Sequence, residues 1–578
     1  FYLPISYGDI ETLGITAIDD LNDITFTPQI ENYKAHEFLA NNTYTTESES
    51  VIKTYNVMPP ARRDMPNGVA IPIPAQAATP TSQKITISTA PDFSENAYTK
   101  NMPAGATVYR VFNFIPDVTY YYKVETDGNT ITNGQFTPEG QLRMIFIDSG
   151  SNIRDLGGWT TEDGSKVKYG KIFRGAELHA GKQTTATSTD LLELRRLGLR
   201  AEIDLREDVD FADGLATQSA LGTTAEYYYF NQSMWNSDAL QAYQMQYRNC
   251  FNIIAKNLEQ DKAVYFHCIW GADRTGAMAF LIEGLLGVQR GDMYKDYELT
   301  TFSKAGSRVK ANLEDKFNYI DTFTGDTQQE KFYNYLHDYV GVPADTLNTI
   351  LGIMLELPTV ELDETQAYES QNVLCANINL KRSINTGLNT IVLPFELSTD
   401  GVVEYFGEGT TIYTLGGERE RTEGVYTLLF EQLDYIPANT PVIIDAQCEE
   451  WNEKTFPAKS LSADEFQTVE TEHFSFVPVM EPTTVPEGAY FLKKGTSEIK
   501  KSLGSSPIKT FRAYIAVNEW ADVKAINIEL QEGKTVGISD INNDESDARL
   551  YDISGRRIKK ADASRQIIIT DGKKFIKK

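Results

Sequence analysis

Cysteine is scarce in this 578-residue chain, standing only at positions 250, 268, 375 and 448, which is too few for a disulfide framework at this length. Cys375 and Cys448 fall in the same later region, so a bridge between them stays open beside the alternative of two buried thiols. Five histidines (His36, His179, His267, His337 and His473) are scattered without a zinc-like spacing, and no metal is expected. Cations are outnumbered: Lys and Arg total 54 against 81 Asp and Glu, a net charge of −27. That balance argues against a nucleic-acid or anionic-membrane surface while leaving room for a local positive pocket. No uninterrupted apolar run approaches the ~20 residues of a membrane helix, so no membrane span is expected. Neither a Gly-x-Ser-x-Gly elbow nor a Gly-x4-Gly-Lys-Ser/Thr loop occurs, so a serine hydrolase or a nucleotide-driven enzyme would lack its usual residues.

What is present divides into several domains, since one core does not serve a chain of this length. Residues 1–82, ending in a Pro/Ala-rich stretch after Met58-Pro59-Pro60, read as a lead-in and linker. Residues 83–141 carry short β-type runs separated by turns such as Asp127-Gly128, and a β-sandwich is expected. Within it, Ile115-Pro116-Asp117-Val118-Thr119-Tyr120-Tyr121-Tyr122-Lys123-Val124 resembles the proline-to-tyrosine stretch of fibronectin type III domains. Over 142–358 strands (200–205, 226–230, 263–266) alternate with helices (189–197, 239–258, 275–286, 327–340), the pattern of an α/β domain with a mainly parallel sheet. Helical periodicity fades after Pro358, and 359–535 reads as all-β, in one domain or two, followed by a C-terminal β module over 536–578.

The chemistry concentrates in His267-Cys268-Ile269-Trp270-Gly271-Ala272-Asp273-Arg274-Thr275-Gly276, between an apolar strand and an apolar helix. A Cys separated from an Arg by five residues can form a loop whose N–H groups, from Ile269 through Arg274, converge on a phosphate, with the helix N-terminus adding its positive end. The same field lowers the thiol pKa, so Cys268 attacks phosphorus as a thiolate and forms a phosphocysteine. Arg274 offers a planar fork to two phosphoryl oxygens; Gly271 permits a positive φ or a close approach. Thr275 is placed to hydrogen-bond the sulfur as it leaves, and His267 reads as ordering the loop rather than as a base. The leaving oxygen needs a proton, and Asp273 is the first candidate donor, with Asp238 on the 235–238 connection as the alternative. Asp204 and Arg206 read as structural partners. No cofactor is required by this chemistry.

This segment resembles the signature of protein tyrosine phosphatases, in particular the atypical bacterial branch with a His-Cys-x-x-Gly-Lys-Asp-Arg-Thr-Gly loop. The blocks Asn152-Ile153-Arg154-Asp155-Leu156-Gly157-Gly158 and Phe173-Arg174-Gly175-Ala176-Glu177-Leu178 resemble the same branch, as does Ile203-Asp204-Leu205-Arg206. The resemblance implies hydrolysis of phosphate monoesters on tyrosine, serine or threonine, with inositol phosphates or phosphoinositides as the alternative substrates, and Asp273 as the acid. Ala272 stands where the branch carries Lys, which removes a charge suited to highly anionic headgroups. Arg154, Lys166, Lys168, Lys171 and Arg174 are the residues that could restore it, and Trp270 either stacks on an aromatic ester or packs on the domain. The tail from Leu550-Tyr551-Asp552-Ile553 resembles C-terminal β modules of bacterial cell-envelope and secreted proteins, with Ala563-Ser564-Arg565-Gln566 in place of a glycine-rich turn. It implies an exported protein, periplasmic, cell-surface or secreted, whose β domains take a surface ligand. A rival reading is an adhesion protein with a vestigial phosphatase domain.

Overall fold

The computed structural model describes residues 33–40, 52, 64–179, 185–211, 214–303, 305–493, 498–518 and 523–531, and the backbone of 551–552, 567–570 and 573–576. The chain divides into two compact units, 1–357 and 358–578.

In the first unit, a two-stranded sheet of β1 (Val69–Pro72) and β4 (Val108–Val111) faces a four-stranded sheet in the order β3 (Tyr98–Asn101), β2 (Gln83–Ser88), β5 (Tyr120–Thr126), β6 (Asn129–Phe136). Val69, Ile71, Ile85, Ile87, Val111 and Val124 fill the core between them, and the Tyr120 hydroxyl accepts the Ile115 N–H at 3.1 Å. The boundary expected at 83 is therefore corrected: the sandwich begins at β1. Its Pro72 sits at the exposed end of a strand paired on one side only, where a missing N–H does no harm, while Val69 and Ile71 alternate inward. More of the expected linker is packed as well. Helix α1 (Tyr33–Ala40) lays Phe38 edge-on to Phe302 at 6.0 Å, and Asp64 is buried.

The sandwich docks on the α/β layer through Asn113. Its amide donates to Phe146 O and Glu193 Oε1, both at 2.9 Å, and its Oδ1 accepts the Phe146 N–H at 2.7 Å. Burial opposes ionisation of Glu193, but Arg196 and Lys100 overcome it and hold the carboxyl at about 2.

The central sheet runs β10 (Glu226–Tyr229), β9 (Leu199–Asp204), β11 (Ala263–His267), β8 (Ile172–Gly175), β7 (Arg154–Asp155), parallel throughout except for the last pair. β11 is central and wholly buried, hence its apolar sequence. Helices α2 (Ser188–Arg196), α3 (Ser237–Ala242), α4 (Gln244–Glu259), α5 (Asp273–Leu285), α6 (Arg290–Leu299), α7 (Ala311–Ile320), α8 (Gln328–Asn334) and α9 (Ala344–Met354) surround it. α2 opens on a capping box between Thr187 and Asp190. The single helix expected over 239–258 is broken at Tyr243 (φ −109°, ψ 31°), whose hydroxyl accepts the Ser233 N–H at 2.9 Å. The helix expected over 327–340 closes in a π-helical stretch, Tyr335–Tyr339.

The second unit stacks sheets. One runs β12 (Gly387–Ile391), β15 (Val442–Ala446), β13 (Thr411–Thr422), β14 (Val425–Leu433), β16 (Ala525–Gln531). Along β15, Val442, Ile444 and Ala446 enter one core and Ile443 the other. Both faces are buried, so the region is one layered domain rather than two. It is not all-β: α10 (Thr399–Phe406) packs Val402, Tyr405 and Phe406 into the first core. Cys375 and Cys448 remain thiols. Short strands at 551–552, 567–570 and 573–576 pair antiparallel in the tail; the Ala563–Gln566 turn lies outside the described residues.

Candidate active site

Cys268 follows the carboxyl end of β11, and the chain turns through four residues into α5. The turn depends on Gly271: its φ is +65°, and a Cβ there would meet the Gly175 carbonyl carbon at 2.3 Å and oxygen at 2.4 Å, so both the conformation and the space exclude other residues.

The loop's carbonyls are claimed from outside. Ile269 O accepts the Glu177 N–H at 3.1 Å; Trp270 O and Gly271 O accept the Asn152 amide at 3.1 and 2.9 Å; Gly271 O also accepts Arg174 Nη2–H at 2.8 Å. Carbonyls held from outside in this way are what an anion cradle requires, because the hollow is then left to N–H donors. The buttress is itself braced. Asp296 pairs with Arg154 (Nε to Oδ1, 2.7 Å) and with Arg174, Arg154 Nη1 holds Asn152 Oδ1 at 2.6 Å, and Asp64 Oδ2 accepts the Asn152 N–H at 2.6 Å. Burial works against the Asp296 anion, yet Arg154 and Arg174 keep its carboxyl at about 2; neighbouring Glu283 is pushed up by burial and by the Asp296 charge. Arg154 and Arg174 are thus spent behind the loop, and Lys168 and Lys171 are engaged by Leu355 O and Asp261. They do not replace the lysine missing at Ala272, which is itself buried.

Replacing Asp296 with Asn leaves two buried guanidinium groups short of an anion, a change expected to cost roughly 3–5 kcal/mol. A lowered unfolding midpoint in denaturant for the Asp296→Asn chain is the check; a midpoint within error of the parent would remove the brace.

At the reacting centre Cys268 is 3% exposed. Burial alone would push its thiol up, but the Arg274 charge and the Thr275 hydroxyl and N–H bring it below its ordinary value. Thr275 Oγ1 is buried and, among the described residues, makes no hydrogen bond. Arg274 is anchored by one nitrogen: Nη1 donates to Asp210 Oδ2 at 2.9 Å, Gln232 O at 3.1 Å and Leu205 O at 3.3 Å. Nε–H and Nη2–H remain as donors for two phosphoryl oxygens.

Because the reactive form is the thiolate, activity is expected to fall as pH drops through the lowered Cys268 value. Thr275→Ala removes one of the groups that lower it, so the acid limb of kcat/KM moves to higher pH; an unmoved limb would dissociate Thr275 from the sulfur.

His267 is fully buried, its Nε2 on Glu202 Oε1 at 2.9 Å. Burial disfavours its cation, but Asp204 and Glu202 raise it above the ordinary value, a state suited to ordering the loop rather than to accepting a proton. Asp204 takes the Arg206 fork (2.6 Å to Nη2) and the Tyr227 hydroxyl (2.9 Å), and Arg206 continues to Glu177 at 3.1 Å. His179, Glu202 and Asp204 come close enough to share a cation, as do Glu418, Glu472 and His473. The oxygens of Glu202 and Asp204 already serve His267, Ser219, Arg206 and Tyr227.

The two candidate acids are placed differently. Asp273 opens α5 with its carboxylate gripped by Arg308, and together they line an open cleft of about 420 Å³ with Trp235, Asn236, Tyr297 and Lys316. Asp238 is exposed at the start of α3, accepting the Asn236 amide at 2.9 Å, and does not line that cleft. Trp270 is 36% exposed beside the loop. Asp210, Gln232, Asp296, Arg308 and Asp64 carry no motif and were not found by sequence reasoning.

Residues 145–356 match the model of the tyrosine phosphatase family. A putative tyrosine-protein phosphatase of Cupriavidus necator is 28% identical over 183 residues, 28% of this chain; the match spans 63% of that relative's length. Among solved structures, TpbA of P. aeruginosa is 14% identical, aligned over 30% of this chain and 97% of its own, with a TM-score of 0.21. The human tyrosine phosphatase-like serine/threonine/tyrosine-interacting protein is 13% identical over 29% of this chain and 93% of its own, with a TM-score of 0.19.

Proposed function

We propose that residues 145–356 hydrolyse phosphate monoesters, phosphotyrosine first among them, through a phosphocysteine on Cys268. The observation that carries the reading is the Cys268–Arg274 loop itself, with a buried thiol of lowered pKa, a guanidinium fixed by one nitrogen and a Gly271 turn that no other residue fits. The family match over the same residues supports it. In the first step Cys268 Sγ attacks phosphorus while Arg274 and the loop N–H groups take the growing charge on the equatorial oxygens. Asp273 supplies the leaving oxygen with its proton. In the second step water attacks the phosphocysteine and the Thr275 hydroxyl steadies the departing thiolate. Neither step routes through a metal or cofactor.

The flanking β units are proposed as positioning modules, the first of them fibronectin type III-like and supported by the Tyr120 hydroxyl bond across its corner. Export, to the periplasm, cell surface or medium, is proposed from the tail's resemblance to envelope modules. The test is phosphate release by the whole chain, without added metal, from phosphotyrosine and phosphoserine peptides, a phosphoinositide and inositol hexakisphosphate. The reading expects the phosphotyrosine peptide to lead. Preference for an inositol ester would transfer the site to that class, and no turnover on any ester, with ligand binding by the β regions, would reduce the loop to phosphate recognition.

A further inference from the structure

The cleft beside Asp273 extends the phosphatase reading, on which this inference rests, to the choice of substrate. Both oxygens of Asp273 are taken: Arg308 donates from Nε at 2.7 Å and from Nη2 at 2.6 Å, and Tyr297 donates its hydroxyl at 3.1 Å. Arg308 is tied to its own loop as well, with Nη1 on the carbonyls of Ala305 (3.2 Å) and Ser307 (3.1 Å), and its backbone bonded both ways to the Thr301 hydroxyl. A carboxylate gripped along both edges by a guanidinium accepts those bonds as an anion. A group that protonates a leaving oxygen has to hold a proton at that moment. The clamp and the acid role therefore oppose each other.

The cleft offers a way to relieve that opposition. Arg308 faces it together with Lys316, which is 2% exposed although it lines an open cavity. The Lys316 ammonium is held by Asn312 O at 2.9 Å, with the Asp315 carboxylate 3.6 Å away. Two cations and two carboxylates, Asp273 and Asp315, line the cleft, so a second anion that enters it competes with Asp273 for the Arg308 guanidinium. Asp273, which lines the cleft, stands in the Cys268–Arg274 loop itself, so the cleft adjoins that loop.

We infer that Arg308 is a substrate-operated clamp: an anionic group flanking the phosphomonoester enters the cleft, takes the guanidinium from Asp273 and leaves that carboxyl to carry the proton for the leaving oxygen. As the Cys268 S–P bond forms and the ester P–O bond breaks, the proton passes from Asp273 to the leaving oxygen. The water that later cleaves the S–P bond returns one to Asp273. The charged and titratable groups around Asp273 are Arg308 and Tyr297 by contact, Lys316 and Asp315 of α7 across the cleft, and Cys268 and Arg274 in its own loop. The flanking anion is an acidic side chain beside a phosphotyrosine, or a second phosphate on a polyol ester. Either acts on kcat, because its binding energy is spent on readying the acid rather than on holding substrate.

The test uses the full chain and four substrates: a phosphotyrosine peptide flanked by Ala, the same peptide flanked by Asp, a polyol bisphosphate with its monophosphate control, and an aryl phosphate whose leaving group needs no proton. The parent is expected to turn over the Asp-flanked peptide with about tenfold higher kcat than the Ala-flanked one, a part of the roughly 10²–10⁴-fold that a positioned acid supplies. A like difference between bisphosphate and monophosphate would assign the second source. Arg308→Gln is expected to bring the paired kcat values within about twofold of each other and to shift the basic limb of the kcat profile, whereas a purely structural loss would lower both members of a pair equally. Arg308→Lys, which keeps the charge without the two-edged grip, should discriminate less than the parent. Equal kcat values in the parent, or an equal fall in both with the ratio kept, would overturn the clamp. Aryl phosphate turnover separates the two failures: if the parent hydrolyses it, only the clamp is lost, and if it does not, the phosphatase reading falls first.

Discussion

Cys268→Ser is expected to lose turnover on every phosphate ester by at least about 10⁴-fold, the scale on which removal of a covalent nucleophile acts. The reason lies in the environment rather than in the atom alone. Arg274 and Thr275 bring a buried thiol below its ordinary value, but no comparable field brings a serine hydroxyl to its anion near neutrality. The substitution changes little in volume at a site that is 3% exposed, so the loop and its hold on phosphate should survive. Isothermal titration with a phosphotyrosine peptide should therefore still show binding where steady-state assay shows no product. Turnover within tenfold of the parent would remove Cys268 from the mechanism.

Arg274→Lys carries the second large effect. A lysine keeps the charge but not the geometry: three acceptors fix Nη1, and the rest of the fork is what meets the two phosphoryl oxygens. A fall in kcat/KM of about 10²–10³-fold is expected, the range reported for loss of one oriented donor to a transition-state oxyanion. The charge that is first among the groups lowering Cys268 is kept, so the acid limb of the pH profile should stay in place while kcat/KM falls. A variant with near-parental kcat/KM would show that charge alone suffices and that the planar fork is not used.

The loop was legible because its chemistry is contiguous. Strand, Cys268, Gly271, Arg274 and helix lie within one short stretch, and each residue type has a local reason to be there. The brace behind the loop was legible only by resemblance. Asn152, Arg154 and Arg174 could be quoted as blocks, but nothing local says that Arg154 meets Asp296, 142 residues away, or that Arg174 meets it from 122 away. Arg308 and Asp210 were missed for the same reason: they reach Asp273 and Arg274 across 35 and 64 residues. Strand β1 was hidden by its proline, which an edge position tolerates. Helix α10 was missed because it is only eight residues long, with Ser398 at its N-cap, within a region otherwise patterned as short strands. Of the cations named around position 272, Arg154 and Arg174 are buried and Lys168 and Lys171 are engaged elsewhere, while Lys166 is exposed, because a cation in a motif block says nothing about which way it faces.

The central claim is a covalent bond between Cys268 and phosphorus. The direct measurement is rapid acid quench of the whole chain during turnover of a phosphotyrosine peptide, followed by mass spectrometry of the proteolytic fragment that contains residues 267–276. The account predicts one added phosphoryl group on that fragment, on Cys268 and absent from Cys268→Ser, more abundant in Thr275→Ala, where the second step is slowed. Full turnover with an unmodified Cys268 fragment at every quench time would contradict it.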